Sequence, residues 1–431
     1  MRAMKESGIE WIGMIPQEWK TSRIKYCTRL DQEKLSETTD SDYTFQYIDI
    51  GSVTEYGGIG NTTEMSFAKS PSRARMVVHD GDTIISTVRT YLKAVAFIDQ
   101  LNDHICSTGF CVLSPCEDLH PKFGYYLLQS DYVVQKIVSE SVGVSYPAIS
   151  SAEIGSIKIA LPKLDEQVRL TEYLDSKCTE IDTLIAAKEK TNALLKERRQ
   201  SIIYEAVTKG LDSTMPMKNS GVEWIGEIPE GWSTWRMKHL AVEPLQYGAN
   251  ATGIEFDSEL PRYVRITDIT PDRKLNDEGI QSLPESIARD YMLEPGDILF
   301  ARSGATSGKS FFYEKEYGSC CFAGYLIRFR PDPLKSKSKF LYYYTLTQAY
   351  EQWTQQIFIQ ATIQNISAEK YNNLVFALPP TLDEQAEIVA FLDSECGKLD
   401  RIIGNNDSTI QKLKEYRQSL IYEAVTGKIE V

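Results

Sequence analysis

Arg199-Gln200-Ser201-Ile202-Ile203-Tyr204-Glu205-Ala206-Val207-Thr208 returns 218 residues later as Arg417-Gln418-Ser419-Leu420-Ile421-Tyr422-Glu423-Ala424-Val425-Thr426. Each copy closes a long stretch without proline, between Pro162 and Pro216 and again after Pro380. Leu174, Cys178, Ile181, Ile185, Leu195, Ile202 and Ala206 fall on alternating steps of three and four, with Lys188, Asn192 and Arg199 at the remaining seam positions. Leu392, Cys396, Leu399, Ile403, Ile410, Leu413, Leu420 and Ala424 repeat the pattern. Such spacing over several heptads predicts coiled-coil helices. Roughly 40 residues at 1.5 Å each give rods of about 60 Å. Two rods in one chain, separated by a globular region, most simply pair antiparallel. Thr381 and Glu384 fit a capping box at the start of the second.

Working outward, the segment before each globular region also repeats, at an offset of 213: Ser7-Gly8-Ile9-Glu10-Trp11-Ile12-Gly13-Met14-Ile15-Pro16 and Ser220-Gly221-Val222-Glu223-Trp224-Ile225-Gly226-Glu227-Ile228-Pro229. Residues 7–25 and 220–238 share 12 identities in 19. Trp11, Trp19, Trp224 and Trp232 recur in register and are expected to plug the segment onto its own domain, because indole burial is large. The middles differ but carry strand patterns at Phe45-Gln46-Tyr47-Ile48-Asp49-Ile50 and Tyr263-Val264-Arg265-Ile266-Thr267. Gly81-Asp82-Thr83-Ile84-Ile85 and Gly296-Asp297-Ile298-Leu299-Phe300 read as Gly-Asp turns feeding strands, with further strands at 109–113 and 324–329. Helices are expected over 122–138 and 338–358. The class is α+β with a mostly antiparallel or mixed sheet. The chain divides into a globular region at 1–160, a helix at 161–212, a second lead segment and globular region at 213–378, and a helix at 379–431. This is a domain-sized tandem duplication, far longer than a solenoid repeat.

Composition narrows the function. The 431 residues are 42% hydrophobic and 25% charged, ordinary for a globular protein. No run of 18 apolar residues is present and the N-terminus lacks a signal-peptide core, so a cytoplasmic, non-membrane protein is expected. Eight cysteines are too sparse for a disulfide scaffold. The net charge of −13 argues against a broad basic face. Residues 20–158 carry 13 basic and 17 acidic side chains, and residues 236–370 carry 16 and 17. Nucleic acid would have to meet local patches, or basic surface lent by a partner.

No arrangement supports catalysis. Gly304-Ala305-Thr306-Ser307-Gly308-Lys309-Ser310 resembles a phosphate loop, but its first Gly is one residue too close to Gly-Lys-Ser, and aromatic Phe311-Phe312-Tyr313 stands where a helix should open. Cys106, Cys111 and Cys116, near His104 and His120, lack zinc spacing, so no metal site is assigned. The four histidines stand beside no nucleophile motif, and no Gly-x-Gly-x-x-Gly or Asn/Asp-Pro-Pro-Tyr string occurs. The repeated polar residues at the helix ends, Arg199, Gln200, Tyr204, Glu205 and Arg417, Gln418, Tyr422, Glu423, exceed what packing one seam requires. They point to docking two copies of one partner.

The Ser-Gly-[Ile/Val]-Glu-Trp-Ile-Gly-x-Ile-Pro-x-x-Trp segments resemble those of type I restriction-modification specificity subunits. So do Ala160-Leu161-Pro162 with Leu164-Asp165-Glu166-Gln167, Ala377-Leu378-Pro379 with Leu382-Asp383-Glu384-Gln385, and Gly296-Asp297-Ile298-Leu299. The resemblance covers essentially the whole chain. It implies a non-catalytic subunit with two target recognition domains, each reading one half of a split, asymmetric sequence in double-stranded DNA. It also implies that the helices set the gap and dock two adenine methyltransferase subunits, with restriction/translocase subunits joining them. S-adenosylmethionine, ATP and magnesium would belong to those partners, and this chain would hold no cofactor. Base reading favours Arg, Lys, Asn and Gln. The DNA-contacting residues are expected at Arg73, Arg75, Arg89, Tyr91, Lys93, Ser145 and Tyr146 in the first domain. In the second they are expected at Arg265, Arg302, Ser303, Thr306, Ser307, Lys309, Gln360, Thr362, Gln364 and Asn365. Two alternatives stay open at this point: a coiled-coil adaptor that binds no DNA, and a nucleic-acid enzyme with an unrecognised active site.

Overall fold

A computed structural model describes every residue except 1, 55–56, 100–102, 144–145, 305 and 360–363. The chain forms two compact units: Met1–Glu189 with Asn406–Val431, and Lys190–Asn405. Each unit therefore takes half of each long helix, Leu164–Lys209 and Leu382–Val425.

In the first unit the lead segment folds as a hairpin, Met4–Glu6 against Met14–Pro16. Strand Lys20–Arg23 then pairs antiparallel with Lys158–Leu161, which closes the globular region. Between them lie two four-stranded sheets. One has the order Thr63–Ser66, Thr44–Ile48, His104–Ser107, Ala74–Val77; the other has Thr28–Leu30, Phe110–Pro115, Thr83–Ser86, Val95–Phe97. Only the pairing of His104–Ser107 with Thr44–Ile48 is parallel within these sheets. The second unit repeats the plan. Met217–Asn219 pairs with Glu227–Pro229, Ser233–Arg236 with Val375–Leu378, and Arg262–Val264 runs parallel to Cys320–Phe322.

The short helices break where the apolar pattern alone runs on. The stretch expected at 122–138 is two helices, Pro121–Gln129 and Asp131–Glu140, because Ser130 takes an extended conformation and its hydroxyl bonds the Leu127 carbonyl. Residues 338–358 likewise split into Ser338–Tyr344 and Gln348–Ile359, with Thr345 and Thr347 hydroxyls on the carbonyls of Tyr342 and Tyr344. The strand read at 263–267 ends at Val264, where Arg265 and Asp268 close a 3-10 turn.

Within each unit the long-helix segments run antiparallel. In the first, Asp182 meets Arg417 and Lys188 meets Asn406 at 3.1 Å, so numbers rise on one helix as they fall on the other. Positions 188 and 406 are equivalents of the repeat. In the second unit Arg199 pairs with Asp400 at 3.1 Å, which is the Arg417–Asp182 pair displaced by 218. Leu174, Cys178, Ile181 and Ile185 pack with Ile410, Leu420 and Ala424 as the heptads require. The seam drifts at the end of the first helix: Ile203, Ala206 and Val207 are buried and Ile202 only partly, because this end packs on the following lead segment through Ile225, Ile228 and Trp232.

The remaining repeated motifs join these parts. The indole N–H of Trp19 donates to Glu166 at 3.1 Å, and that of Trp232 to Glu384 at 2.9 Å. Gln167 and Gln385 each accept, at 2.8 Å, the backbone N–H at the start of an earlier short helix, at His120 and Lys337. Lys122 and Tyr126 hold Asp175, and Lys339 and Tyr343 hold Asp393. The capping box at 381–384 is half made: Thr381 Oγ1 accepts the Glu384 N–H at 3.1 Å, but the Glu384 carboxylate goes to Trp232. Trp19 and Trp232 plug their segments, as expected; Trp11 is 45% exposed and Trp224 half-buried.

Glu166 gives a pH prediction. Burial alone would raise its pKa, but the Arg2 guanidinium and the Trp19 indole outweigh burial and hold it below the ordinary 4.5. A depressed carboxylate contributes stability that is complete above its unfolded pKa and lost as pH falls through the folded one. Urea midpoints measured below pH 4.5 should therefore fall faster for the native chain than for Glu166→Gln.

Candidate nucleic-acid interface

The Gly-Asp turns fix the site. Gly81 and Gly296 stand at φ +88° and +99°, a region that favours glycine. The next residue ties the turn back on itself: Asp82 accepts the His79 N–H and Asp297 the Glu294 N–H, both at 2.8 Å. Asp297 also takes Arg330 in two bonds of 2.8 Å. Each turn launches a fully buried strand, Thr83–Ser86 or Ile298–Ala301, that ends in a surface loop. In both units that loop is bridged to the segment preceding a short helix: Val88 to Ala148, and Ser303 to Asn365. The two loops singled out from the sequence in each domain are thus neighbours, held by a rigid strand.

In the first unit they border a cleft of about 1160 Å³ whose wall includes Arg73, Arg89, Lys93 and Tyr146, together with Asp49 and Asp131. Arg89 and Lys93 both occupy the left-handed region, at φ +51° and +52°, with the turn Thr90–Leu92 between them. Non-glycine residues in that conformation concentrate at ligand sites. The Arg89 guanidinium lies over the Tyr146 ring at 5.1 Å, and the Arg89 backbone N–H donates to the Pro147 carbonyl. Lys93 is 3.8 Å from Asp131, and Tyr91 is exposed.

In the second unit Arg302 lies over the Tyr247 ring at 4.9 Å. Its carbonyl accepts the Ile366 N–H at 2.9 Å and the Ser307 hydroxyl at 3.0 Å. The loop turns through Gly304 and Gly308 at φ +78° and +87° and returns as strand Ser310–Phe312. The phosphate-loop look-alike is therefore a hairpin, with no helix to open on a phosphate. Ser303, Thr306, Ser307, Lys309 and Asn365 are half-buried around this turn, and Gln364 is exposed. Ser145, Gln360 and Thr362 lie outside the described residues.

Two of the expected residues are held by their own turns. Arg75 is folded onto its own loop, with bonds to Ser70, Pro71 and Ala74 and a stack on Phe67 at 4.4 Å. Arg265 is taken by buried Asp268 and by the Gly279 carbonyl. Among the described residues, Arg73, Arg89, Arg302 and Lys309 take part in no ion pair. Tyr247 was missed; its signal was the following Gly248, where a Cβ would lie 2.3 Å from the Phe322 carbonyl oxygen, marking a close approach of an edge strand.

Several of the helix-end residues also serve packing, which uses the matched polar groups. Arg417 is 4% exposed, bound to Asp182 at 2.9 Å and Gln129 at 3.2 Å. Tyr422 donates to the Trp11 carbonyl, Tyr204 to the Ile225 carbonyl, and Arg199 pairs with Asp400. Gln200, Glu205 and Gln418 remain exposed and Glu423 half-buried. Gln418 and Tyr422 line a second, largely apolar groove of about 590 Å³ with Trp11, Tyr132 and Lys136.

Cys106 and Cys111 face the interior, and burial pushes the Cys111 thiol up to about 12. The described residues hold no group of three or more His, Cys, Asp or Glu side chains placed for a metal ion. They include no helix long and apolar enough to cross a membrane.

Comparison with known proteins agrees with this architecture. The chain is 27% identical over 331 residues to the type I restriction enzyme StySPI specificity subunit of Salmonella potsdam, covering 75% of this chain and 69% of that protein. It is 21% identical over 434 residues to the EcoDI specificity subunit of Escherichia coli, covering 97% and 90%. A chain from a solved structure on complex assembly and conformational transition of the type I R-M system superposes with a TM-score of 0.71 at 25% identity, over 96% of this chain and 99% of that one. Residues 16–196 and 268–415 match the family model described as the type I restriction modification DNA specificity domain. With the duplicated units, the paired helices and the matched scaffold motifs, this places the chain in the type I restriction-modification DNA specificity family.

Proposed function

We propose that this chain is the DNA-reading, non-catalytic subunit of a type I restriction-modification complex. The observation that carries the reading is the pair of equivalent loops: in each unit a buried Gly-Asp strand delivers an arginine, with no ion pair among the described residues, beside an accessible tyrosine. Each unit reads one half of a split target. The halves differ because the loops differ, while the scaffold around them is the same. The two long helices, which each contribute to both units, set the spacer. Net charge −13 suits a reader whose partners hold most of the phosphate backbone, the usual source of non-specific affinity.

Two methyltransferase subunits dock on the helix ends, through Gln200, Glu205, Gln418 and Glu423 and the groove beside Trp11 and Tyr422. Restriction/translocase subunits join them. S-adenosylmethionine, ATP and magnesium belong to those partners, which perform the chemistry in the cytoplasm.

Exchanging residues 27–150 for the corresponding region of a relative tests the modular reading. Methylation mapping should show one half of the target changed and the other half and spacer unchanged. A change in both halves, or in the spacer, would contradict it.

A further inference from the structure

We infer that Arg302, stacked on Tyr247, reads a guanine in the half of the target assigned to the second unit; this rests on the DNA-reading function proposed above.

The side chain is set before any ligand arrives. Its backbone is fixed on both sides, by the Ile366 N–H and Ser307 hydroxyl on its own carbonyl and by the Tyr350 hydroxyl on the Gly308 carbonyl at 2.6 Å. The guanidinium lies over Tyr247 at 4.9 Å, and the Tyr247 hydroxyl in turn accepts the Ala368 N–H at 3.0 Å. Arg302 Nε is covered and without a partner, so the guanidinium offers hydrogen bonds through its two terminal nitrogens. A phosphate contact needs charge but no fixed plane. A base contact needs the plane, and the Tyr247 ring beneath the guanidinium restricts it while reducing the entropy cost of freezing a long side chain.

A fixed two-donor fork selects one base. Guanine presents O6 and N7, two adjacent acceptors, in the major groove. Adenine places a donor beside N7, cytosine presents a donor, and thymine one acceptor beside a methyl group. Arginine has no acceptor to meet those donors. Tyr247 is a positioning residue in this arrangement.

The test uses the full chain expressed with its partner subunits, and reads the methylated target at single-base resolution. Arg302→Lys keeps the charge and removes the fork. We expect discrimination at one guanine of one half-site to fall roughly 10- to 100-fold, with the other half and spacer unchanged. Tyr247→Ala is expected to relax the same base pair and no other, and Tyr247→Phe to relax it less. A fully stringent motif in Arg302→Lys would show that the fork is not what discriminates the base and overturn the assignment. Relaxation at a different base, or in both halves, would overturn it as well. Should Arg302→Lys lower the melting temperature and abolish methylation, Tyr247→Ala carries the test by the same criterion. A native chain that directs methylation to no split motif, beside an active methyltransferase, would instead overturn the DNA-reading function itself.

Discussion

Trp19→Ala is expected to destabilise the first unit by about 3–5 kcal/mol, the range for deleting a large buried aromatic. The ring is 1% exposed, within the cluster that joins the lead segment to the ends of both long-helix segments. The packing there is close: a Cβ on Gly427 would lie 2.3 Å from Pro16 and 3.2 Å from Trp19. The mutation opens a cavity and removes an indole donor from Glu166, which keeps its bond from Arg2. Trp232→Ala should cost a similar amount in the second unit, where Trp232 packs on Phe340 and donates to Glu384. Trp11→Ala, at an equally repeated but exposed position, should cost under about 1 kcal/mol. Urea unfolding of the three variants checks this; equal losses at Trp11 and Trp19 would refute the plug.

Arg417→Ala should cost about 2–4 kcal/mol, whereas Arg199→Ala, the same position of the repeat, should cost under about 1 kcal/mol. The difference is burial. The Arg417–Asp182 side chains are 5% and 30% exposed, against 28% and 55% for Arg199–Asp400. Removing one partner of a buried pair strands the other, and partial water access to Asp182 keeps the cost below that of a fully buried charge. Burial already raises the Asp182 pKa despite the arginine. Without Arg417 the folded pKa rises further, so the penalty is full above that value and disappears as pH falls below the unfolded one. Thermal melts of both variants across pH 4 to 7 would show it; a pH-independent loss would exclude a stranded carboxylate as its cause.

These residues also show what was legible in the sequence. Heptad spacing located both helices, because side chains at steps of three and four must share a face whatever surrounds them, and the globular region between the two rods gave their antiparallel pairing. Gly-Asp, Trp19 and Trp232 were legible because a left-handed turn and a large indole have few structural uses. The matched Arg417 and Tyr422 were read as surface because the sequence does not display their partners: Asp182 lies 235 positions away and Trp11 lies 411. Arg75 and Arg265 are engaged for a local reason, since nearby carbonyls and Asp268 satisfy them within their own turns. Their residue type matched that of Arg89 and Arg302, and only geometry separates them. Ser130 ended a helix through its own hydroxyl bond, a signal that the surrounding apolar pattern outweighed. Tyr247 sits on a two-residue edge strand, too short for any periodicity.

The central claim is that this chain selects a split DNA sequence. Adenine methylation mapped across the genome at single-base resolution, with and without the gene, tests it most directly. The account predicts that deletion removes one asymmetric, two-part motif and leaves other methylation intact. An unchanged methylation pattern in a cell whose partner methyltransferase is active would contradict it.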